Sequence, residues 1–254
     1  MAALPLNDDY PVRRAPVVAY TLIAANVLVY LMSPQAATAV WYPPDAFDRY
    51  CAIQDYFMFW GAVPAEILGL VDQVPHAVPE CGGFGDKPVW FSVFSSMFLH
   101  GGPLHLISNL MYLFVFGPVV EDRIGKLRFL VLYVLTGVAA AYGFALTDAD
   151  GTTPMIGASG AISGVLGAYL VVQFRSRVTM LVFGVIPMRL PGWAVVGSYF
   201  ALQYLLYVTT SNAPGADSGV AYAAHVYGFI AGVIVGLVVY RLRWRSGTRL
   251  SDVY

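Results

Sequence analysis

Long apolar runs, each closed by charged residues, set the pattern of this chain. Residues 1–16 are polar and carry Arg13 and Arg14 just before an apolar run from Val17 to Met32. A stretch from Ser33 to the mid-nineties interrupts the pattern with many aromatics and prolines, and holds Asp45, Asp48, Asp55, Glu66, Asp72, Glu80 and Asp86. Five further apolar segments follow, at about 103–120, 127–147, 156–174, 191–210 and 220–240. Each is near the ~20 residues a helix needs to cross a bilayer, so the pattern predicts an all-α polytopic membrane protein with six transmembrane helices. The middle of the long loop, Phe57 to Val71, is apolar but too short to span, and is expected to lie in the membrane interface. The run Val178 to Met188 is only eleven residues between Arg177 and Arg189 and is expected to be a loop.

Composition agrees with the pattern. The chain is 58% hydrophobic and 11% charged, against roughly 25% charged in an average soluble domain. A net charge of −1 gives no pull toward nucleic acid. With the N-terminus in the cytoplasm, Arg13, Arg14, Arg123, Lys126, Arg128, Arg175, Arg177, Arg189, Arg241, Arg243, Arg245 and Arg249 fall inside, and only Arg49 and Lys87 fall outside. That bias of basic residues orients the spans. It gives a cytoplasmic N-terminal tail (1–16), a six-helix membrane domain (17–240) with an outer loop at 33–95 between helices 1 and 2, and a cytoplasmic C-terminal tail (241–254). A signal peptide was weighed, because Arg13-Arg14, the apolar run and Ala37-Thr38-Ala39 have its elements. The run is long for that and Asp8 and Asp9 precede it, so it is read as the first span. Cys51 and Cys81 share the outer loop without zinc-ligand spacing, and are candidates for a disulfide in an oxidising compartment.

The orientation turns the sequence into a depth scale. Ser159 stands sixteen residues before Arg175, and His225 sixteen before Arg241. At 1.5 Å per residue both lie ~24 Å above the inner edge, on two helices that run the same way. Taken alone, Ser159 is a small packing residue; an intramembrane histidine is a functional candidate by default. Together they place a nucleophile beside a general base. Gly160, Gly164 and Gly167 follow Ser159 at helical spacing, and Gly228, Gly232 and Gly236 follow His225, so each helix offers a smooth stripe for close approach. A leucine at Gly232 is expected to wedge the helices apart, and an alanine to be tolerated better. Asn109, fourteen residues before Arg123, sits ~21 Å up and is an amide donor for a developing oxyanion. His105, one turn earlier, is the second donor; His100 is expected to brace the loop. Asn26 and Gln203 are read as structural. No Asp or Glu lies inside an apolar span, so the histidine has no carboxylate partner, and proton relays or cation transport are disfavoured.

The blocks Ser95-Ser96-Met97-Phe98-Leu99-His100-Gly101-Gly102 through His105 and Asn109, then Glu121, Gly125 and Arg128-Phe129, then Gly157-Ala158-Ser159-Gly160, then Ala224-His225-Val226-Tyr227-Gly228-Phe229 resemble the rhomboid family of intramembrane serine proteases. The resemblance covers about residues 90 to 240. It implies a six-helix rhomboid-like bundle that hydrolyses peptide bonds in the transmembrane segments of single-span membrane proteins. It further implies Ser159 as nucleophile, His225 as base, and Asn109 and His105 as the oxyanion site, with Gly157, Gly160, Gly228 and Gly232 in support. No cofactor, metal or nucleic acid enters this reading; the expected setting is a lipid bilayer, the bacterial cytoplasmic (inner) membrane, as a multi-pass protein. Two departures stand out: the Trp-Arg pair of many members' outer loop is absent, and the aromatic found in some members four residues after the serine is Ser163 here. A catalytically silent, client-binding relative is the alternative, and such relatives usually lack the serine or the histidine.

Overall fold

Apolar runs become helices where nothing breaks the backbone, and glycine or proline marks most of their ends. The structure, a computed structural model, describes residues 3–38, 40–42, 45–75, 81, 86–183, 185–211 and 221–245. Glu80, Ala39 of the weighed cleavage site, and the expected C-terminal tail beyond residue 245, Arg249 included, lie outside the described residues. In chain order the elements are β1 (Ala3–Asp8), α1 (Val17–Met32), α2 (Ala46–Trp60), α3 (Pro64–Ile67), α4 (Val89–Ser95), a 3-10 turn (Ser96–Phe98), α5 (Pro103–Ile124), α6 (Lys126–Thr147), α7 (Ser159–Val172), β2 (Arg177–Val182), β3 (Ile186–Pro191), α8 (Gly192–Ser211) and α9 (Tyr222–Arg245). All six expected apolar segments are helical. Among the described residues, three helices are long and apolar enough to cross a membrane: α5, α6 and α9 as far as Leu242. The apolar helices α1 and α7 are shorter.

The run Val178–Met188, expected as a loop, is instead most of a β-hairpin. Val178 and Met180 are buried while Arg177 is exposed, a period of two that only a strand produces. The N-terminal segment, expected as a tail, supplies the third strand: β1 pairs antiparallel with β2, which pairs with β3. Eleven residues was too short to span, but long enough for two paired strands. Asp8 fastens this sheet to the bundle, accepting from Tyr169 of α7, from Ser176 at 2.7 Å and from the Tyr10 amide at 2.8 Å. Burial nevertheless holds its carboxyl above the usual carboxylate range. At the same end, Glu121 of α5 accepts from the amides of Val18 and Ala19, at 3.1 and 2.7 Å. A carboxylate there satisfies orphan donors at the start of α1 and suits the positive end of its dipole.

The long connection between α1 and α5 contains α2 to α4 and is stapled at two points. Cys51 and Cys81 form a disulfide with Cα atoms 4.9 Å apart. Closing 30 residues this way stabilises by about 3–4 kcal/mol in the loop-entropy account. Lys87 is buried against Glu66 at 2.5 Å and also donates to the carbonyls of Met58 and Gly61, at 2.7 and 2.9 Å. Its three ammonium protons are therefore all used, which a buried charge requires. Desolvation still lowers the Lys87 pKa, against the opposing pull of Glu66. The expected interface piece, 57–71, becomes the end of α2 and the short α3, and Ala62 exchanges two backbone bonds with Met155, just before α7. So the loop packs against the approach to Ser159.

The centre of the bundle is α7, buried at every residue from Gly160 to Tyr169. It packs most extensively on α9, with α6 and α5 on its other sides. The glycines explain this closeness. A Cβ at Gly228 would overlap the Gly160 carbonyl oxygen, one at Gly232 the Gly164 carbonyl oxygen, and one at Gly167 the Phe229 carbonyl oxygen. At Gly236 the nearest atoms, Ala168 Cα and Val171 Cβ, are 3.1 and 3.2 Å away. Even the alanine expected to be tolerated better than leucine at Gly232 is overpacked, because its first side-chain carbon meets backbone, which cannot rotate away.

Two predictions follow from this packing. Gly232→Ala lowers unfolding stability by about 1–3 kcal/mol, the usual cost of overpacking, and Gly236→Ala costs less; denaturant unfolding in detergent micelles measures both. Lys87→Met, which strands the Glu66 charge, costs about 3–5 kcal/mol, while replacing both residues by methionine restores most of that stability. Equal stability of wild type and Lys87→Met would show that the pair is not buried as described.

Candidate active site

Three helix ends and one helix middle meet around Ser159. Gly157 makes the entry to α7 possible, since its φ of +123° is one that L side chains rarely adopt. A Cβ there would also sit 2.9 Å from Cε1 and Nε2 of His105. Its amide donates to the Ser96 carbonyl at 2.8 Å, so the turn after α4 holds the segment that delivers Ser159. Ser159 is then the first residue of α7, half-buried, with the leading N–H groups of that helix around it.

His225 lies in the first turn of α9 and is 9% exposed. Its Nε2 is 2.7 Å from Ser159 Oγ. The residues placed at equal depth by counting along the chain are thus in direct hydrogen-bond contact. A hydroxyl held against an imidazole nitrogen at this distance has the geometry for general-base activation. On the other ring edge, Nδ1 lies 2.8 Å from Oε1 of Gln203 in α8. Gln203 was read as structural from the sequence, and this contact is what that reading missed. One signal was available: Gln203 stands fourteen residues after Arg189, the same count that separates Asn109 from Arg123.

Helix α5 carries the polar groups expected near the site, His105 and Asn109. Asn109 is 6% exposed, and its amide nitrogen has no hydrogen-bond partner among the described residues. A buried donor left unspent is costly, so it is kept where something else takes it up. The Gly101 amide donates to Nδ1 of His105 at 3.4 Å. That places the neutral ring's proton on Nε2, the atom beside Gly157. His100 is fully buried with its ring edge-on to His105, centroids 5.1 Å apart, and its Nδ1 is 3.3 Å from the Phe98 carbonyl. Burial, and secondarily the nearness of His105, pushes its pKa down to about 4, so near neutral pH it is an uncharged wedge behind His105. Gly160 touches Ala140 and faces Gly228, which brings α7 onto α6 and α9. Ser163 donates to the Ser159 carbonyl at 2.7 Å and bonds the Tyr199 hydroxyl at 2.8 Å. Among the described residues, no three His, Cys, Asp or Glu side chains gather in a way that could hold a metal ion.

The family model described as the Rhomboid domain matches residues 87–242. RHOMBOID-like protein 5 of Arabidopsis thaliana is 33% identical over 147 residues, which are 57% of this chain and 42% of that protein. The Putative rhomboid protease YdcA of Bacillus subtilis is 29% identical over 154 residues, 59% of this chain and 67% of its own. Rhomboid protease AarA of Providencia stuartii is 29% identical over 171 residues, 61% and 59% respectively. The match therefore spans about two thirds of these relatives' length or less. It includes every block from Ser95 to Phe229 that carries the resemblance, and more than half of the chain. This membrane protein belongs to the rhomboid family.

Proposed function

We propose that the chain is an intramembrane serine endopeptidase in which Ser159 is the nucleophile and His225 the general base. The observation that carries this reading is the 2.7 Å contact between Ser159 Oγ and His225 Nε2. As Oγ bonds to the carbonyl carbon of the substrate peptide, its proton passes to Nε2, and the carbonyl oxygen takes up negative charge. Asn109 Nδ2, unspent and buried, and His105 Nε2–H are the donors assigned to that oxygen. The first-turn amides of α7 add a positive end of a helix dipole in the same place. Nε2 then returns the proton to the leaving amine, and water, activated by the same nitrogen, releases the acyl group.

In this reading α1 and α5 to α9 span the bilayer, both chain ends are cytoplasmic, and the loop carrying the Cys51–Cys81 disulfide is outside, which an oxidising outer compartment favours. Substrates are single-span membrane proteins. A helix hides its peptide carbonyls in hydrogen bonds, so a segment with Gly or Pro near the cleaved bond unwinds more cheaply and is preferred. A client-binding relative without catalysis would need neither the Ser159–His225 bond nor a buried amide held in reserve.

Purified protein in liposomes with a single-span substrate tests the assignment. Ser159→Ala and His225→Ala abolish cleavage, and Asn109→Ala slows it by about 10²–10³, the usual cost of one oxyanion donor. Cleavage that persists in Ser159→Ala rules out the nucleophile.

A further inference from the structure

We propose that Gln203 is a positioning residue that locks His225 in the tautomer able to accept the Ser159 proton. The inference rests on the reading of Ser159 and His225 as the reacting pair. A neutral imidazole carries one N–H, and here both ring nitrogens are engaged, Nε2 with Ser159 Oγ at 2.7 Å and Nδ1 with Gln203 Oε1 at 2.8 Å. With the amide oxygen toward the ring, Nδ1 must be the donor, and the lone pair stays on Nε2, facing the hydroxyl. With the amide turned over, its nitrogen would donate to Nδ1, the ring proton would sit on Nε2, and Ser159 would face a donor in place of a base. The side-chain amide of Gln203 thus selects between a competent and an incompetent ring.

The surrounding helices leave this task to an amide. The segments 159–172, 192–211 and 222–242 contain no Asp or Glu. A carboxylate there would have to be stripped of water, whereas an amide orients the ring without a second charge. The helix that carries the amide is itself tied to its neighbours. One turn before Gln203 on α8, the Tyr199 hydroxyl bonds Ser163 Oγ at 2.8 Å, and Ser163 in turn donates to the Ser159 carbonyl at 2.7 Å. Tyr199 also packs its ring 5.5 Å, centroid to centroid, from Tyr112 of α5. Adjacent turns of α8 therefore tie to α7 and to α9, the two helices that carry the reacting groups. During the reaction Nδ1–H stays on Nδ1 with the Gln203 oxygen accepting it, while the Ser159 proton moves onto Nε2 and later leaves on the departing amine.

The test uses the full chain in lipid nanodiscs and two readouts. The ¹⁵N shifts of the His225 ring, assigned by their loss in His225→Ala, report the tautomer, and the rate of fluorophosphonate labelling at Ser159 reports the pair's reactivity. Wild type shows the proton on Nδ1. Gln203→Met, similar in shape but without an acceptor, shows mixed tautomers and labels about 10²-fold more slowly, as expected for a misplaced reacting group. Gln203→Glu, which keeps an acceptor, retains the Nδ1–H signal and labels faster than Gln203→Met. An unchanged tautomer in Gln203→Met overturns the proposal, whatever its rate, because any loss then comes from packing alone. A tautomer that shifts in Gln203→Met while wild-type Ser159 takes no label upholds the positioning role and overturns the protease reading.

Discussion

Backbone-to-backbone contact between α7 and α9 is the constraint on which the site depends. Gly160 faces Gly228, Gly164 faces Gly232, and Gly167 faces Phe229, so the two helices run parallel with carbonyls set against glycines. Between apolar helices in a membrane there is little hydrophobic force to gain, and close packing of small residues has to supply the attraction. This seam has no side chains to rearrange, so it fixes register as well as distance. Ser159 and His225 stand one and three residues ahead of the first facing pair, Gly160 and Gly228. Their 2.7 Å contact therefore follows from how the helix axes are placed. Reacting groups need that kind of fixity, since small displacements cost large factors in rate.

Charge is segregated along the bundle. At the Arg-rich end, Glu121 caps α1, Asp122 takes the Tyr10 hydroxyl at 2.7 Å, and the Arg123 guanidinium lies 4.4 Å over the Tyr10 ring. Around Ser159 the described polar side chains are hydroxyls, amides and imidazoles, from Ser163, Tyr199, Asn109, Gln203, His100, His105 and His225. In the proposed reaction, proton transfer between neutral groups creates charge only in passing, and a preorganised donor such as Asn109 would have its largest effect at that moment. The connection between α1 and α5 adds its own fixed points, the disulfide and the fully satisfied Lys87, and reaches the site through the Ala62–Met155 bridge.

Much of this was legible before any coordinates. Helix positions followed from apolar runs, and the equal depth of Ser159 and His225 from counting to the next arginine. Their direct contact is a consequence of that count and of the glycine stripes. What stayed hidden depends on pairing between distant residues. The hairpin of β2 and β3 is recognisable only when β1, some 170 residues away, is seen to join it. Gln203 looked like a generic polar residue because its partner lies on another helix, and Lys87 and Glu66 looked like loop charges because burial is not written in local pattern. Gly232 was identified as a packing residue, but not as one whose neighbour is a carbonyl oxygen; distance to backbone cannot be read from spacing.

The central claim is that Ser159 attacks a carbonyl whose oxygen is received by Asn109 and His105. An experimental structure of the protein after reaction with a fluorophosphonate tests it most directly, because the adduct carries an oxygen where the tetrahedral intermediate would. The account predicts phosphorus bonded to Ser159 Oγ, with its oxygen within about 3.2 Å of Asn109 Nδ2 and turned toward His105 Nε2, a normal hydrogen-bond length. Phosphorus on another side chain, or an oxygen turned away from Asn109, would contradict it.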